Sequence, residues 1–340
     1  MKRIEEICNQ VQESLMDNFW SDAEGTFVNH FPVRENENWI YWWHAHSLDC
    51  LIDAYIRTKD PKYLDRIKKE YQGTYTRNGE TFLHNWYDDM EWMALAQLRL
   101  WDATGEDTYK DQVQLIWKDI KTAWNDQMGG GMAWKKDQLD YKNTPANAPA
   151  AILAFRLYQR FENKDDLVWG KRILDWNLAN LTDPVTGFVW DGMNRLGDEQ
   201  IDYNWKFTYN QGVVIGALVE LYKIEHSQEC LAKAEQIAKI TKELLIDTNH
   251  GIIPYEGEDD CGLFKGILVR YLYDLIEIKP DLTGLREMLL QNAECVMEKG
   301  INEHGLIGGN WEVREMAEVD LAQHLSGIML LETAAKLLII

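Results

Sequence analysis

Apolar positions along this chain recur at helical spacing in one stretch after another. The run Trp92, Met93, Leu95, Ala96, Leu98, Leu100 and Trp101 continues without Gly or Pro until Gly105, which is the pattern of a helix with a broad apolar stripe. The same reading predicts helices at about 2–19, 41–58, 61–76, 88–104, 107–124, 145–161, 165–180, 209–226, 228–246, 261–277, 282–298 and 318–338. Connections such as Lys59-Asp60-Pro61 and Gly105-Glu106-Asp107 are short, so neighbouring helices run antiparallel. Pro61 suits a first helical position.

A second periodicity lies between the helices. A helix ends, a glycine follows, and aromatic or apolar residues precede the next helix. The glycines are Gly25, Gly79, Gly131, Gly187, Gly251 and Gly305, separated by 54, 52, 56, 64 and 54 residues. A fixed period of this kind marks a repeat architecture. Twelve helices in six hairpins predict an all-α fold, a closed (α/α)6 barrel with one helix of each pair inside and its partner outside. No Pro/Gly/Ser-rich linker breaks the series, so residues 1–340 are expected to form one domain.

The repeat also locates a site. Every glycine turn joins an outer helix to the next inner one, so all six gather at one end of the barrel. That end receives Trp42 and Trp43, Trp86 to Asp89, Trp134, Asn143 and Asn147, then Asp191, Tyr209, Asn210 and Gln211, then Asp259, Asp260 and Lys265, and finally Trp311. An aromatic-lined bowl with acids and amides near its floor suits a saccharide.

Composition narrows the partners. A net charge of -21 argues against phosphate-backbone binding and against anionic membranes, and it leaves neutral ligands. The 15 Trp supply faces on which sugar rings stack, beside those that serve as core. Five cysteines without a CxxC fit a reducing compartment and exclude a zinc framework. The N-terminus turns acidic at once, without the apolar run of a signal peptide, so the expected location is cytoplasmic; a chain from which a leader had been removed would look the same. No stretch approaches the ~20 apolar residues of a membrane span. The expected protein is a monomer with a poly- or oligosaccharide substrate and with no cofactor, metal, nucleic-acid or membrane partner.

The chemistry centres on Asp88 and Asp89, adjacent carboxylates in the first turn of a predicted helix, crowded by Trp86, Tyr87 and Trp92. Acidic residues at helix starts are common caps, but a cap needs one carboxylate. Repulsion and desolvation split the pKa values of such a pair, leaving one acid protonated and one ionised, the equipment of general acid and nucleophile. Other motifs carry less. His44 and His46 are two apart and do not share a helix face, so packing explains them better than metal binding. Asp88-Asp89-Met90-Glu91 lacks the spacing of a magnesium-binding acid motif. Glu256 to Asp260 lacks the alternating ligands of a calcium loop; capping is its first expected role, and contacts of Asp259 and Asp260 with substrate hydroxyls the second. Phosphate loops and a serine nucleophile elbow are absent.

Several stretches together resemble glycoside hydrolase family 76, the endo-α-1,6-mannanases. They are Tyr87-Asp88-Asp89-Met90-Glu91-Trp92, Lys142-Asn143 with Asn147 ahead of Ala154 to Tyr158, Thr208-Tyr209-Asn210-Gln211-Gly212, and Phe264-Lys265-Gly266-Ile267 with Arg270-Tyr271-Leu272. The resemblance implies an (α/α)6 barrel and a retaining mechanism, with Asp88 as nucleophile and Asp89 as acid/base. Retention needs carboxyl groups about 5–5.5 Å apart against about 6.5–9.5 Å for inversion, and neighbouring side chains in one helical turn reach the shorter separation more easily. The alternatives are an unsaturated glucuronyl hydrolase, a sugar epimerase, for which His44 and His324 should face each other in the bowl, or a glycan-binding protein without turnover.

Overall fold

The computed structural model describes residues 2–35, 38–314 and 317–339. Its helices are α1 (Lys2–Asn18), α2 (Tyr41–Thr58), α3 (Pro61–Arg77), α4 (Tyr87–Thr104), α5 (Asp107–Ile120), α6 (Thr144–Phe161), α7 (Lys164–Asn180), α8 (Thr208–Glu225), α9 (Gln228–Thr241), α10 (Cys261–Ile278), α11 (Thr283–Cys295) and α12 (Leu321–Leu337). Each matches a helix expected from the apolar spacing.

The breadth of each apolar face decides which helix lies inside. In α8 every residue from Thr208 to Leu221 is buried, and in α12 every residue from Leu321 to Ala335; helices covered on all sides belong to a core. Outer helices bury a single stripe, such as Tyr63, Ile67, Glu70 and Thr74 of α3, or Tyr109, Val113, Ile116, Trp117 and Ile120 of α5. The even-numbered helices contact one another in the closed order α2, α4, α6, α8, α10, α12 and back to α2. This is the (α/α)6 barrel. Five helix pairs are sequential hairpins; the sixth is closed by α12 packing on α1, which brings the two ends of the chain together.

Glycine lets three inner helices approach closely. A Cβ on Gly212 of α8 would stand 2.8 Å from Leu268 Cα of α10, and one on Gly266 of α10 would stand 2.7 Å from Ser326 Cα of α12. At the far end, where the negative helix termini converge, Asp53 is gripped by Arg99, Arg270 and Lys336 at 2.8, 2.7 and 2.8 Å. These cations hold the Asp53 carboxyl well below the usual range despite burial.

The spacing did not predict the short strands in the connecting loops. Ala133–Lys135, Gln138–Asn143 and Gly192–Met193 form a three-stranded antiparallel sheet at the rim. His30–Phe31 pairs with Val319–Asp320, which delays α12 to Leu321 against the expected 318. The outer helices α9 and α11 continue into wider π turns, Lys242–Ile246 and Val296–Gly300. None of the described helices is long and apolar enough to cross a membrane.

Candidate active site

All six inner helices start at the same end, and their first four positions divide the labour. The fourth residue often ties down the preceding glycine turn. His44 contacts Thr26 Oγ1 at 3.1 Å through Nδ1. Asn147 accepts from Met132 N at 2.8 Å and donates to Met132 O at 3.2 Å. Gln211 treats Val189 the same way at 2.9 and 2.7 Å, and His324 Nδ1 accepts from Ile307 N at 3.1 Å. The second and third residues, Trp42 and Trp43, Asp88 and Asp89, Tyr209 and Asn210, sit where the bowl is formed.

One histidine and two amides are therefore spoken for by loop backbone, and His44 by the Thr26 hydroxyl. Asn147 and Gln211, expected to bind substrate, are fully buried clamps. His44 also contacts the buried Glu70 at 2.7 Å, so it does not face His324 across a bowl, and the epimerase arrangement is not present. Lys265 and Trp311 depart from expectation in the same manner. The Lys265 amine donates to Gly309 O and lies 4.0 Å from the Trp311 ring centroid, while Trp311 is itself buried. Enclosure lowers the Lys265 pKa to about 7. Trp43 is buried too, with only its indole N–H turned to the site.

Trp86 is the N-cap of α4 and makes no side-chain capping bond. Asp88 Oδ1 accepts the N–H of Asp89 at 3.1 Å, and Asp88 Oδ2 accepts the indole N–H of Trp134 at 3.0 Å. Capping thus accounts for one oxygen of one carboxylate. The Asp89 carboxylate accepts no hydrogen bond among the described residues. Its neighbour is His84, with Nδ1 3.2 Å from Asp89 Oδ2. That ring lies between Tyr41 and Trp86, with centroids at 4.6 and 5.0 Å, and burial lowers its pKa to about 4. A neutral imidazole supplies no positive charge.

Both carboxyls are pushed well above the usual range. For Asp88 the first cause is burial and the second is the charge of Asp89, opposed by its two N–H donors. For Asp89 the causes are burial and then the charge of Asp260. Hydrogen bonds to a carboxylate favour its ionised form. Asp88 alone of the pair receives such bonds, two of them. Below them on α4 the buried Glu91 is also held high, by burial and then by Asp88.

Asp260, at the start of α10 and across the ring from α4, accepts the indole N–H groups of Trp42 and Trp43 at 2.8 and 3.0 Å. The carboxylate of Glu256 caps α8 instead, accepting from Thr208 N at 2.7 Å and from its hydroxyl. Asp259 is exposed beside them. Between α6 and α8 stands Asp191, which the sequence put at the bowl end without a role. It accepts from Tyr141 and Tyr209 hydroxyls at 3.1 and 3.0 Å and from Asn210 Nδ2 at 3.0 Å. Tyr209 in turn stacks on Phe264 at 3.8 Å. Asn210 Oδ1 and Asn143 Oδ1 are buried without a protein partner among the described residues. Asp191 and His84 were the functional neighbours that sequence reasoning missed. The position of Asp191 just after the Gly187 turn was its only signal. Among the described residues no three metal-ligating side chains converge.

The family model described as glycosyl hydrolase family 76 matches residues 3–336. The chain belongs to this family. Solved structures share its fold closely. The Lin0763 protein of Listeria innocua is 41% identical with a TM-score of 0.94, covering 99% of this chain and 98% of that one. The GH76A α-1,6-mannanase of Salegentibacter sp. HEL1_6 is 39% identical with a TM-score of 0.93, covering 98% and 99%. An inactive variant of that enzyme, altered at two adjacent aspartates, has been solved with α-1,6-mannotriose. Among curated proteins, the mannan endo-1,6-alpha-mannosidase DCW1 of Candida glabrata is 23% identical over 298 residues, 80% of this chain and 65% of that protein. The chain thus spans just under two thirds of the length of that relative.

Proposed function

We propose that this family 76 protein is a retaining endo-α-1,6-mannanase with Asp88 as nucleophile and Asp89 as acid/base, acting as a monomer on a mannan poly- or oligosaccharide. The observation that carries the roles is the asymmetry of the pair: two N–H donors on the Asp88 carboxylate and none on that of Asp89. The Asp88 oxygen attacks the anomeric carbon while Asp89 gives its proton to the departing glycosidic oxygen. The resulting glycosyl ester on Asp88 is then cleaved by water, which Asp89 deprotonates, so two inversions give net retention. The substrate rests on the similarity to the Salegentibacter enzyme and on its inactivation at two adjacent aspartates. The strongly acidic chain favours a neutral glycan. All the groups invoked come from one chain, so a monomer suffices.

The test is digestion of α-1,6-mannan and of a panel of other α- and β-linked mannans and glucans, followed by NMR of the first products. Cleavage of internal α-1,6 bonds with the α-anomer appearing first is expected. Initial release of the β-anomer would mean inversion and would remove Asp88 from its role. Cleavage of another linkage in preference would overturn the substrate.

A further inference from the structure

A groove of about 480 Å3 opens at the catalytic end between the loops that precede α10 and α12, lined by His30, Tyr255, Glu258, Asp259, Asn310 and Gln323 among others. We propose that this groove is a distal subsite for one mannosyl unit of the same glycan chain, with the Tyr255 ring as its platform. The inference rests on the proposed mannanase activity and adds to it a determinant of chain-length preference.

Three observations carry it. First, Tyr255 keeps 47% of its surface exposed, yet its ring is seated against the loop that precedes α12. Its ring lies so close to Gly309 that a Cβ there would stand 2.6 Å from ring carbon Cε2 and 3.0 Å from Gln323 Nε2. That loop is pinned from below by the buried Lys265, whose amine holds Gly309 O and covers Trp311. The two residues expected from sequence to touch sugar thus become the foundation of an exposed ring. Second, the remaining lining offers what hydroxyls need: carboxylates of Glu258 and Asp259 and the amides of Asn310 and Gln323. An aromatic face with a few convergent polar groups is the composition of a ligand site, and the carboxylates of Glu258, Asp259, Glu318 and Asp320 against one arginine, Arg34, itself paired with Glu318, disfavour anionic ligands. Third, the groove joins the catalytic centre through one short segment. Asp260 holds the indoles of Trp42 and Trp43, and Tyr255 lies five residues earlier, within about 18 Å even if the chain is fully extended. A ring within that reach can serve a sugar a few units from the scissile bond.

The experiment compares kcat/KM for α-1,6-mannooligosaccharides from trimer to hexamer in wild type, Tyr255→Ala, Tyr255→Phe and Gly309→Ala. Wild type should gain efficiency with length. Tyr255→Ala should lose that gain through a rise in KM on the order of tenfold for the longest substrates, with the trimer unaffected. Tyr255→Phe should keep the gain, and Gly309→Ala, which displaces the ring, should lose it with its melting temperature checked in parallel. An equal loss at every length, or no loss at any, overturns the subsite while leaving the activity standing. If wild type cleaves none of these oligosaccharides, the activity and the subsite fall together.

Discussion

Trp134→Phe separates the two carboxyl roles. The substitution keeps an aromatic ring against Tyr141, whose centroid is 5.6 Å away, and removes only the indole N–H that reaches Asp88 Oδ2 at 3.0 Å. A hydrogen bond to a charged group contributes about 1.5–3 kcal/mol, and one pKa unit corresponds to about 1.4 kcal/mol. Because the donor favours the ionised form, its loss raises the pKa of Asp88. The acid limb of the kcat/KM profile, which reports the free enzyme's ionised nucleophile, should therefore move up by roughly 1–2 units. The alkaline limb, set by the protonated Asp89, should stay within a few tenths of its wild-type position. The assay is hydrolysis of an α-1,6-mannooligosaccharide at substrate concentrations well below KM across the active pH range. Any loss of sugar stacking on the indole scales the whole profile and leaves the limbs in place. Movement of the alkaline limb alone would exchange the roles of Asp88 and Asp89. An unmoved profile would mean that the indole does not stabilise the working anion.

Three further outcomes are expected. Asp89→Ala should slow hydrolysis of natural glycans strongly while sparing the first step on substrates with very good leaving groups; equal loss on both in single-turnover kinetics would refute Asp89 as the acid. Gly266→Ala should destabilise the barrel by about 1–3 kcal/mol, because the new methyl meets Ser326 Cα at 2.7 Å; an unchanged urea midpoint would show that α10 and α12 can separate freely. Glu220 is buried against Arg156 at 2.8 Å, and its pKa is lowered to about 2 from 4.5, the charge of Arg156 overcoming burial. A depressed carboxyl pKa contributes stability that is full above the unfolded value and is lost as pH falls from 4.5 towards 2. Glu220→Gln should accordingly cost on the order of 3 kcal/mol near pH 7, and the difference from wild type should shrink over that acid range. A difference independent of pH in denaturation experiments would refute the linkage.

The twelve helices and their ring were legible because each depends on local information. Apolar residues every three or four positions specify a helix whatever it packs against, and evenly spaced glycine turns specify that the hairpins repeat. The adjacent Asp88 and Asp89 were legible for the same reason, since consecutive residues at a helix start share one place in any fold. What each polar side chain does with its hydrogen bonds was not local. Asn147, Gln211 and Lys265 look like sugar ligands in sequence, yet their partners are the backbone of Met132, Val189 and Gly309, up to 44 residues away. The basis for the proposed ionised member of the pair was hidden likewise. It depends on an indole 46 residues from Asp88, delivered by a strand in a rim sheet that the apolar spacing did not announce. Side-chain type states what a group can bond to; only the folded chain brings the partner within 3 Å, and in a buried site that partner decides where the proton sits.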